Sequence, residues 1–140
     1  MLLVLFPTVV PGGITLLRLL VDRSSGYIDN PLRQDLWRAG HAHAGVLLIL
    51  SLVVLRYVDE ATLPGWLEGV VRHTTPAAAV LLPAAYFLSV LPPTATQPNE
   101  LISLAFLSAA ALALGLLVLG IGLLRQPRMP ATERDSRRGP

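Results

Sequence analysis

Two histidines, His41 and His43, are the residues of this sequence best suited to chemistry, because an imidazole can ligate a metal or haem, donate a hydrogen bond or exchange a proton near neutral pH. They lie in the string Arg-Ala-Gly-His-Ala-His-Ala-Gly, residues 38–45. In an α-helix, residues two apart differ by roughly 200° around the axis and point to opposite faces. We therefore expect that the pair does not chelate one ion from a regular helix.

The small residues around the histidines support two interpretations. They leave room beside each imidazole for a flat cofactor or an ion, which makes His41 and His43 candidate cofactor and metal ligands. They also form a small-residue surface from Gly40 to Ala44, through which a neighbouring helix can approach closely while the imidazoles hydrogen-bond to carbonyls across the contact. The sequence leaves both interpretations open.

The composition indicates which kind of element carries the histidines. Of 140 residues, 53% are hydrophobic and 14% are charged, which is more apolar side chain than so short a chain can hide from water. Charge-free intervals divide the chain into segments long enough to cross a bilayer as helices. We predict an all-α integral membrane four-helix bundle, one transmembrane domain over residues 1–124, with spans at about 1–21, 37–57, 73–92 and 100–124.

The segments between and around these spans have their own signals. Residues 59–72 carry apolar side chains at helical spacing, which predicts a short interfacial helix between spans two and three. Trp37 and Tyr57 bracket the second span as expected interfacial aromatics. The first span lacks the features of a signal peptide, so we interpret it as a retained helix, although the true start codon could precede Met1. Residues 125–140 carry five Arg and three Pro, which predicts a disordered cytoplasmic tail.

The arginines set the expected orientation and exclude some partners. Alternate sides of a four-span layout carry seven and four Arg, which places both termini in the cytoplasm of a multi-pass protein of the bacterial inner (plasma) membrane. The same arginines are scattered and form no basic patch, so we expect no nucleic-acid partner. The chain has no Cys, so a bound metal would need His, carboxylate or cofactor ligands.

Other polar side chains reach the depth of the two histidines when each span is laid out at about 1.5 Å per residue. Five residues form a predicted cofactor-binding cluster in the outer half of the membrane: His41, His43, Tyr86, Arg18 and Glu100. Three of them also have ordinary roles, as an interface anchor for Tyr86, a snorkelling cation for Arg18 and a first-turn acid for Glu100. His73 lies about 20 Å from Tyr86 along the third span and is left out of the cluster.

The segment Gly-His-Ala-His-Ala-Gly, residues 40–45, resembles the start of a histidine-bearing helix in the catalytic subunit of haem-copper oxidases, where such a His ligates low-spin haem. That family needs further ligand histidines on other helices, and this chain has none suitably placed, so the oxidase activity is not carried over. Over its length, the chain resembles small bacterial four-helix integral membrane proteins that begin a span with Arg-x-Gly-His-x-His-x-Gly. This second resemblance implies a fold and a location but no activity.

Three hypotheses for the function remain open. In the first, the protein binds haem, a metal ion or a quinone through its His cluster. In the second, it is a structural or assembly subunit that packs against a larger membrane complex. In the third, it is a small proton-linked transporter or channel acting as an oligomer. The sequence has no motif of a hydrolase, kinase or zinc protease, so a non-enzymatic role is favoured, with membrane lipid and a second copy or a membrane complex as partners.

Overall fold

The computed structural model describes residues 2–125, and this part of the chain is helical without strands. Five helical segments follow one another: Leu2–Leu5 (α1), Val9–Val21 (α2), Pro31–Tyr57 (α3), Gly65–Ser89 (α4) and Ser103–Leu124 (α5). A 3-10 turn at Phe6–Thr8 joins α1 and α2 into one N-terminal span. The all-α prediction is therefore confirmed for the described residues. The predicted tail, apart from Arg125, lies outside them.

Three of the described helices are long and apolar enough to cross a membrane: Leu2–Val21, Pro31–Glu60 and Glu100–Leu124. The fourth, α4, does not meet that standard, because its first half carries Glu68, Arg72 and His73. It packs against both α3 and α5 along its length. Its exposed large aliphatic side chains include Val80, Leu81 and Leu88, all in its second half.

The predicted interfacial helix between spans two and three is not a separate element. Residues 65–72 form the first turns of α4, which runs unbroken from Gly65 to Ser89 through Pro76 and Pro83. The predicted boundary at 73 followed the charge of Arg72, because the charge-free interval that predicts the third span begins after this residue. In the structure Arg72 instead forms an ion pair with Asp59, and the helix continues past it.

Helix α3, which corresponds to the predicted second span, also begins earlier than predicted, at Pro31 rather than at residue 37. The Asn30 side chain accepts a hydrogen bond from the Arg33 backbone N–H at 3.0 Å, and Pro31 occupies the first helical position. Both are standard helix-start features, since the cap satisfies a free N–H and proline has none to satisfy. The additional turns place Arg33 and Trp37 inside the helix.

Two buried apolar clusters hold α3, α4 and α5 together. One consists of Leu47, Leu48, Ala79, Leu82, Ala85 and Ala105. The other lies further along α3 and consists of Val54, Val58, Ala61, Val71 and Leu119. Glycines of α5 allow close approach here, since a Cβ added to Gly122 would lie 2.7 Å from Leu63 Cγ and one added to Gly115 would lie 2.6 Å from Thr74 Oγ1.

The N-terminal span is attached much less extensively than the other helices. None of its residues from 2 to 21 is buried. It reaches the core mainly through partly buried Leu2, Leu5 and Val9. The space left between this span and the α3–α4 pair contains the cavities described below.

Candidate functional site

His41 lies on the side of α3 that faces the N-terminal span. Its ring is half-buried and lies against Gly12 and Gly13 of α2. A Cβ added to Gly13 would lie 3.1 Å from His41 Nε2, whereas one added to Gly12 would lie 3.5 Å from Nδ1, an ordinary contact distance. The absence of a side chain at position 13 therefore makes room for the imidazole.

The His41 ring lines a cavity of about 260 Å³ between the N-terminal span, α3 and α4. The other residues around it are almost all apolar, among them Leu48, Ala79 and Phe87. Thr8 is a second polar residue in the lining, and its hydroxyl donates to the Leu5 carbonyl at 2.6 Å. Neither ring nitrogen of His41 has a hydrogen-bond partner among residues 2–125. The cavity therefore has one imidazole whose hydrogen-bonding capacity is unused within the described chain.

His43 has a different environment. Its exposed ring makes an edge contact with Tyr86 of α4, with the ring centroids 5.5 Å apart. Nδ1 lies 2.7 Å from the Ala39 carbonyl oxygen, and because a carbonyl can only accept, Nδ1 carries the proton and donates it. His73 makes the same bond to the Gly69 carbonyl at 2.7 Å. Two of the three helical histidines thus make this bond to the preceding turn of their own helix, so the bond does not mark a ligand site.

The two histidines thus contact different neighbours, as their spacing predicts. Within residues 2–125 no group of three or more His, Cys, Asp or Glu side chains could hold a metal ion. His41 and His43 therefore have no common point at which both could bind one ion, and no carboxylate completes a metal site with either of them in the described part of the chain. The predicted use of these two residues as metal ligands therefore gains no support from their geometry.

The structure brings together only part of the predicted cofactor cluster. Tyr86 contacts His43, as described above. Arg18 is exposed in the last turn of α2, where it lines a shallow surface pocket with Asp22. Glu100 is exposed at the start of the last 3-10 turn. No hydrogen bond or ion pair in the described part of the chain joins either of these charged residues to a histidine.

The small residues around the histidines mainly serve helix packing. A Cβ added to Gly40 would lie 3.1 Å from the Phe87 ring and 3.2 Å from Tyr86 Cβ, so α3 and α4 approach closely there. One added to Gly45 would lie 3.8 Å from Val9 of the N-terminal span. The packing interpretation of the string therefore holds for its glycines, while His41 itself faces a cavity.

A second polar site, at the C-terminal end of α4, involves residues that sequence reasoning did not select. Arg33 is 8% exposed and donates through Nε to the Val90 carbonyl at 3.2 Å and through Nη2 to the Leu91 carbonyl at 3.1 Å. Its guanidinium lies 4.1 Å from the Trp37 ring centroid. A helix leaves its last carbonyls without partners and favours a positive charge there. Arg33 supplies both the donors and the charge.

Other side chains complete this cap. Trp37 Nε1 donates to the Phe87 carbonyl at 3.2 Å, and Asn99 Nδ2 donates to the Leu88 carbonyl at 3.1 Å. Asn30 Nδ2 donates to two carbonyls of the following loop at 2.9 Å. Trp37, predicted as an interfacial anchor, is thus a partly buried packing residue with Phe87 at 5.8 Å between ring centroids. The Asn-Pro start of α3, with Arg three residues after Asn30, was the signal that could have indicated the cap.

Tyr27 packs against Trp37 beside this cap and is 1% exposed. Its hydroxyl is buried and has no hydrogen-bond partner among the described residues. Burial raises the pKa of the Tyr27 phenol above its ordinary value, against the lowering effect of the nearby Arg38 and Arg33 charges. The residue is therefore held in its neutral form.

Taken together, the described polar groups fall into a structural cap at the end of α4 and a cavity with a single free imidazole. In the cap, the side chains of Arg33, Trp37, Asn30 and Asn99 donate to backbone carbonyls, so these donors are already used. The His41 cavity can offer one hydrogen bond to a mainly apolar molecule. Comparison of the chain with models of protein families, with curated protein sequences and with solved structures finds no match.

Proposed function

We propose that this protein is an integral membrane protein that binds a small, mainly apolar molecule with a carbonyl or hydroxyl group, of the quinone class, in the His41 cavity. One observation carries the proposal: the half-buried His41 imidazole has no hydrogen-bond partner among residues 2–125 and lines an apolar cavity. A polar group in such surroundings favours a ligand that completes its hydrogen bonds.

The proposed membrane arrangement has four crossings that form one bundle. Besides the three sufficiently apolar spans, α4 has 25 residues, or about 37 Å at about 1.5 Å per residue, which exceeds a hydrocarbon core of about 30 Å. Its packing between α3 and α5 supports its inclusion despite its polar first half. An even number of crossings puts both termini on one side, and the arginine count favours the cytoplasm of a bacterium for that side.

A quinone fits the cavity better than a metal ion or a haem. A metal ion needs several ligands, and His41 has no second ligand beside it in the described chain. A haem held by two axial ligands needs a second His, Met, Cys or Tyr at the cavity, and His41 is the one such residue among the described residues that line it. A quinone head group is a single flat ring, and its carbonyl oxygen can accept a hydrogen bond from the imidazole N–H.

Equilibrium binding to the purified protein in lipid nanodiscs tests this proposal, with a benzoquinone that carries a decyl tail as the probe. We expect saturable binding that His41→Ala weakens by up to about tenfold, the value of one net hydrogen bond. His43→Ala is the matched control and should change the affinity less than twofold. Gly13→Ala should also weaken binding, because it places a methyl group 3.1 Å from His41 Nε2.

Two results would overturn the proposal. One is the absence of saturable binding to the wild-type protein, and the other is equal affinity of wild-type and His41→Ala protein. A Soret band or one equivalent of tightly bound metal in the purified protein would favour the haem or metal hypothesis instead. If neither the wild-type protein nor any variant binds the probe, and cells that carry a variant grow like cells that carry the wild-type protein, the hypothesis of an assembly subunit replaces the quinone proposal.

A further inference from the structure

A second cavity, of about 480 Å³, adjoins the His41 cavity. It lies between α1, α3 and α4, and the residues that line it are all apolar: Leu2, Leu3, Leu52, Leu55, Pro76 and Ala77, together with Leu5 and Val80. The last two also line the His41 cavity. The two cavities share these two lining residues and lie next to each other between the N-terminal span and the α3–α4 pair, and together they are called the groove below.

The groove is polar at one end and long in one direction. Leu52 and Leu55 follow His41 along α3 by distances of roughly 17 Å and 21 Å at the helical rise of about 1.5 Å per residue. His41 and Thr8 are at one end, and beyond Leu5 and Val80 no polar side chain lines the groove. This is the form expected of a site for a molecule with a small polar head and an extended hydrocarbon tail.

The attachment of the N-terminal span explains why the groove stays open. The span has no buried residue, and Pro7 interrupts it within the 3-10 turn at Phe6–Thr8, beside the point where the cavities join. A proline at this position removes one backbone donor and loosens the regular helix. The helix therefore does not pack tightly into the space between α3 and α4.

The geometry points to a ligand with a hydrocarbon tail: the head group lies at His41, and a prenyl or alkyl chain fills the apolar cavity towards Leu52 and Leu55. This inference rests on the proposed function, because it requires the head group to bind at His41. It adds that affinity depends on the tail, which contributes by its dispersion contacts and by filling the groove, because moving hydrocarbon from lipid into an apolar groove removes no apolar surface from water.

The test compares two probes with the same benzoquinone head, one without a tail and one with a decyl tail, in nanodiscs of fixed lipid composition. Ala77→Phe places an aromatic ring in the second cavity, and Ala110→Phe is the matched control on an exposed position of α5. We expect Ala77→Phe to weaken binding of the tailed probe at least tenfold and to change binding of the tailless probe less than twofold. Ala110→Phe should change neither affinity.

Leu3→Trp serves as a second variant if Ala77→Phe does not fold, since Leu3 is 70% exposed and lines the same cavity. If both probes bind in a His41-dependent way but both groove variants leave the tailed probe unaffected, the tail inference is wrong and the proposed function stands. That result would also be obtained if a bilayer acyl chain permanently filled the groove. If binding of neither probe depends on His41, the proposed function itself fails.

Discussion

Arg33→Met should destabilise the protein strongly, although Arg33 belongs to neither of the two buried apolar clusters. The substitution keeps a long side chain of similar length but removes both donors to the end of α4. It leaves the Val90 carbonyl without its buried donor, whereas the Leu91 carbonyl is only partly buried and can be hydrated. It also removes the charge that stacks on Trp37.

The expected loss follows from these contacts. A hydrogen bond from a charged donor to a buried acceptor contributes about 1.5–3 kcal/mol, and a partly desolvated cation–π contact contributes about 0.5–2 kcal/mol. The bond to the half-accessible Leu91 carbonyl adds little, because water replaces the donor. We therefore expect the free energy of unfolding to fall by about 2–5 kcal/mol.

Unfolding of the detergent-purified protein by titration with sodium dodecyl sulfate, followed by circular dichroism, measures this change. Arg38→Met is the matched control, because Arg38 lies on the same helix but is exposed, and it should change the free energy by less than about 0.5 kcal/mol. Arg33→Lys keeps the charge but lacks the planar fork of donors, so it should fall between the two. Equal stability of the Arg33→Met and Arg38→Met proteins would refute the capping role.

Two further predictions concern packing and pH. Gly122→Ala should lower the free energy of unfolding by about 1–3 kcal/mol, because the added methyl group would lie 2.7 Å from Leu63 Cγ. Gly120→Ala is the control: its methyl group meets nothing within 4 Å, so this variant should be as stable as the wild-type protein or more stable in the same titration. An equal loss in both variants would contradict the close-packing interpretation. Burial raises the pKa of the Tyr27 phenol in the folded protein above its unfolded-state pKa of 10.0. The stabilisation that the neutral phenol contributes should therefore be complete below that unfolded-state pKa and should be lost as the pH rises through the folded-state pKa. Unfolding measured at about pH 8 and about pH 10.5 should show a decline in the wild-type protein that is smaller in Tyr27→Phe, and an identical decline in both would refute this assignment.

The sequence predicted the helices well where apolar runs are long, because a charge-free interval of about 20 residues has few alternatives to a helix. It misplaced boundaries where a charged residue is paired in the fold. The charge of Arg72 led to a predicted break between an interfacial helix and the third span, yet α4 runs unbroken from Gly65 past Arg72, which pairs with Asp59. Such a pairing joins residues distant in sequence, so local patterns do not indicate it.

The candidate site was predicted in part for a similar reason. Helical geometry alone indicated that His41 and His43 face different neighbours, and the structure places one beside Gly12 and Gly13 and the other beside Tyr86. Depth along the separate spans did not indicate which side chains meet, because depth gives no information on the rotation of each helix. The sequence did not indicate the role of Gly12 and Gly13 opposite His41, since their partner comes from another helix.

The weak attachment of the N-terminal span also has a thermodynamic consequence. Under the proposed function this span forms one side of the ligand groove, so a ligand binds better when the span is docked on α3. By linkage, the ligand then favours docking of the span by the same free energy. Bound ligand should therefore protect the amides of residues 9–21 from hydrogen exchange. Bilayers that pull the span away from α3, and so break the contacts of Leu5 and Val9 with the core, should release the ligand without any change at His41.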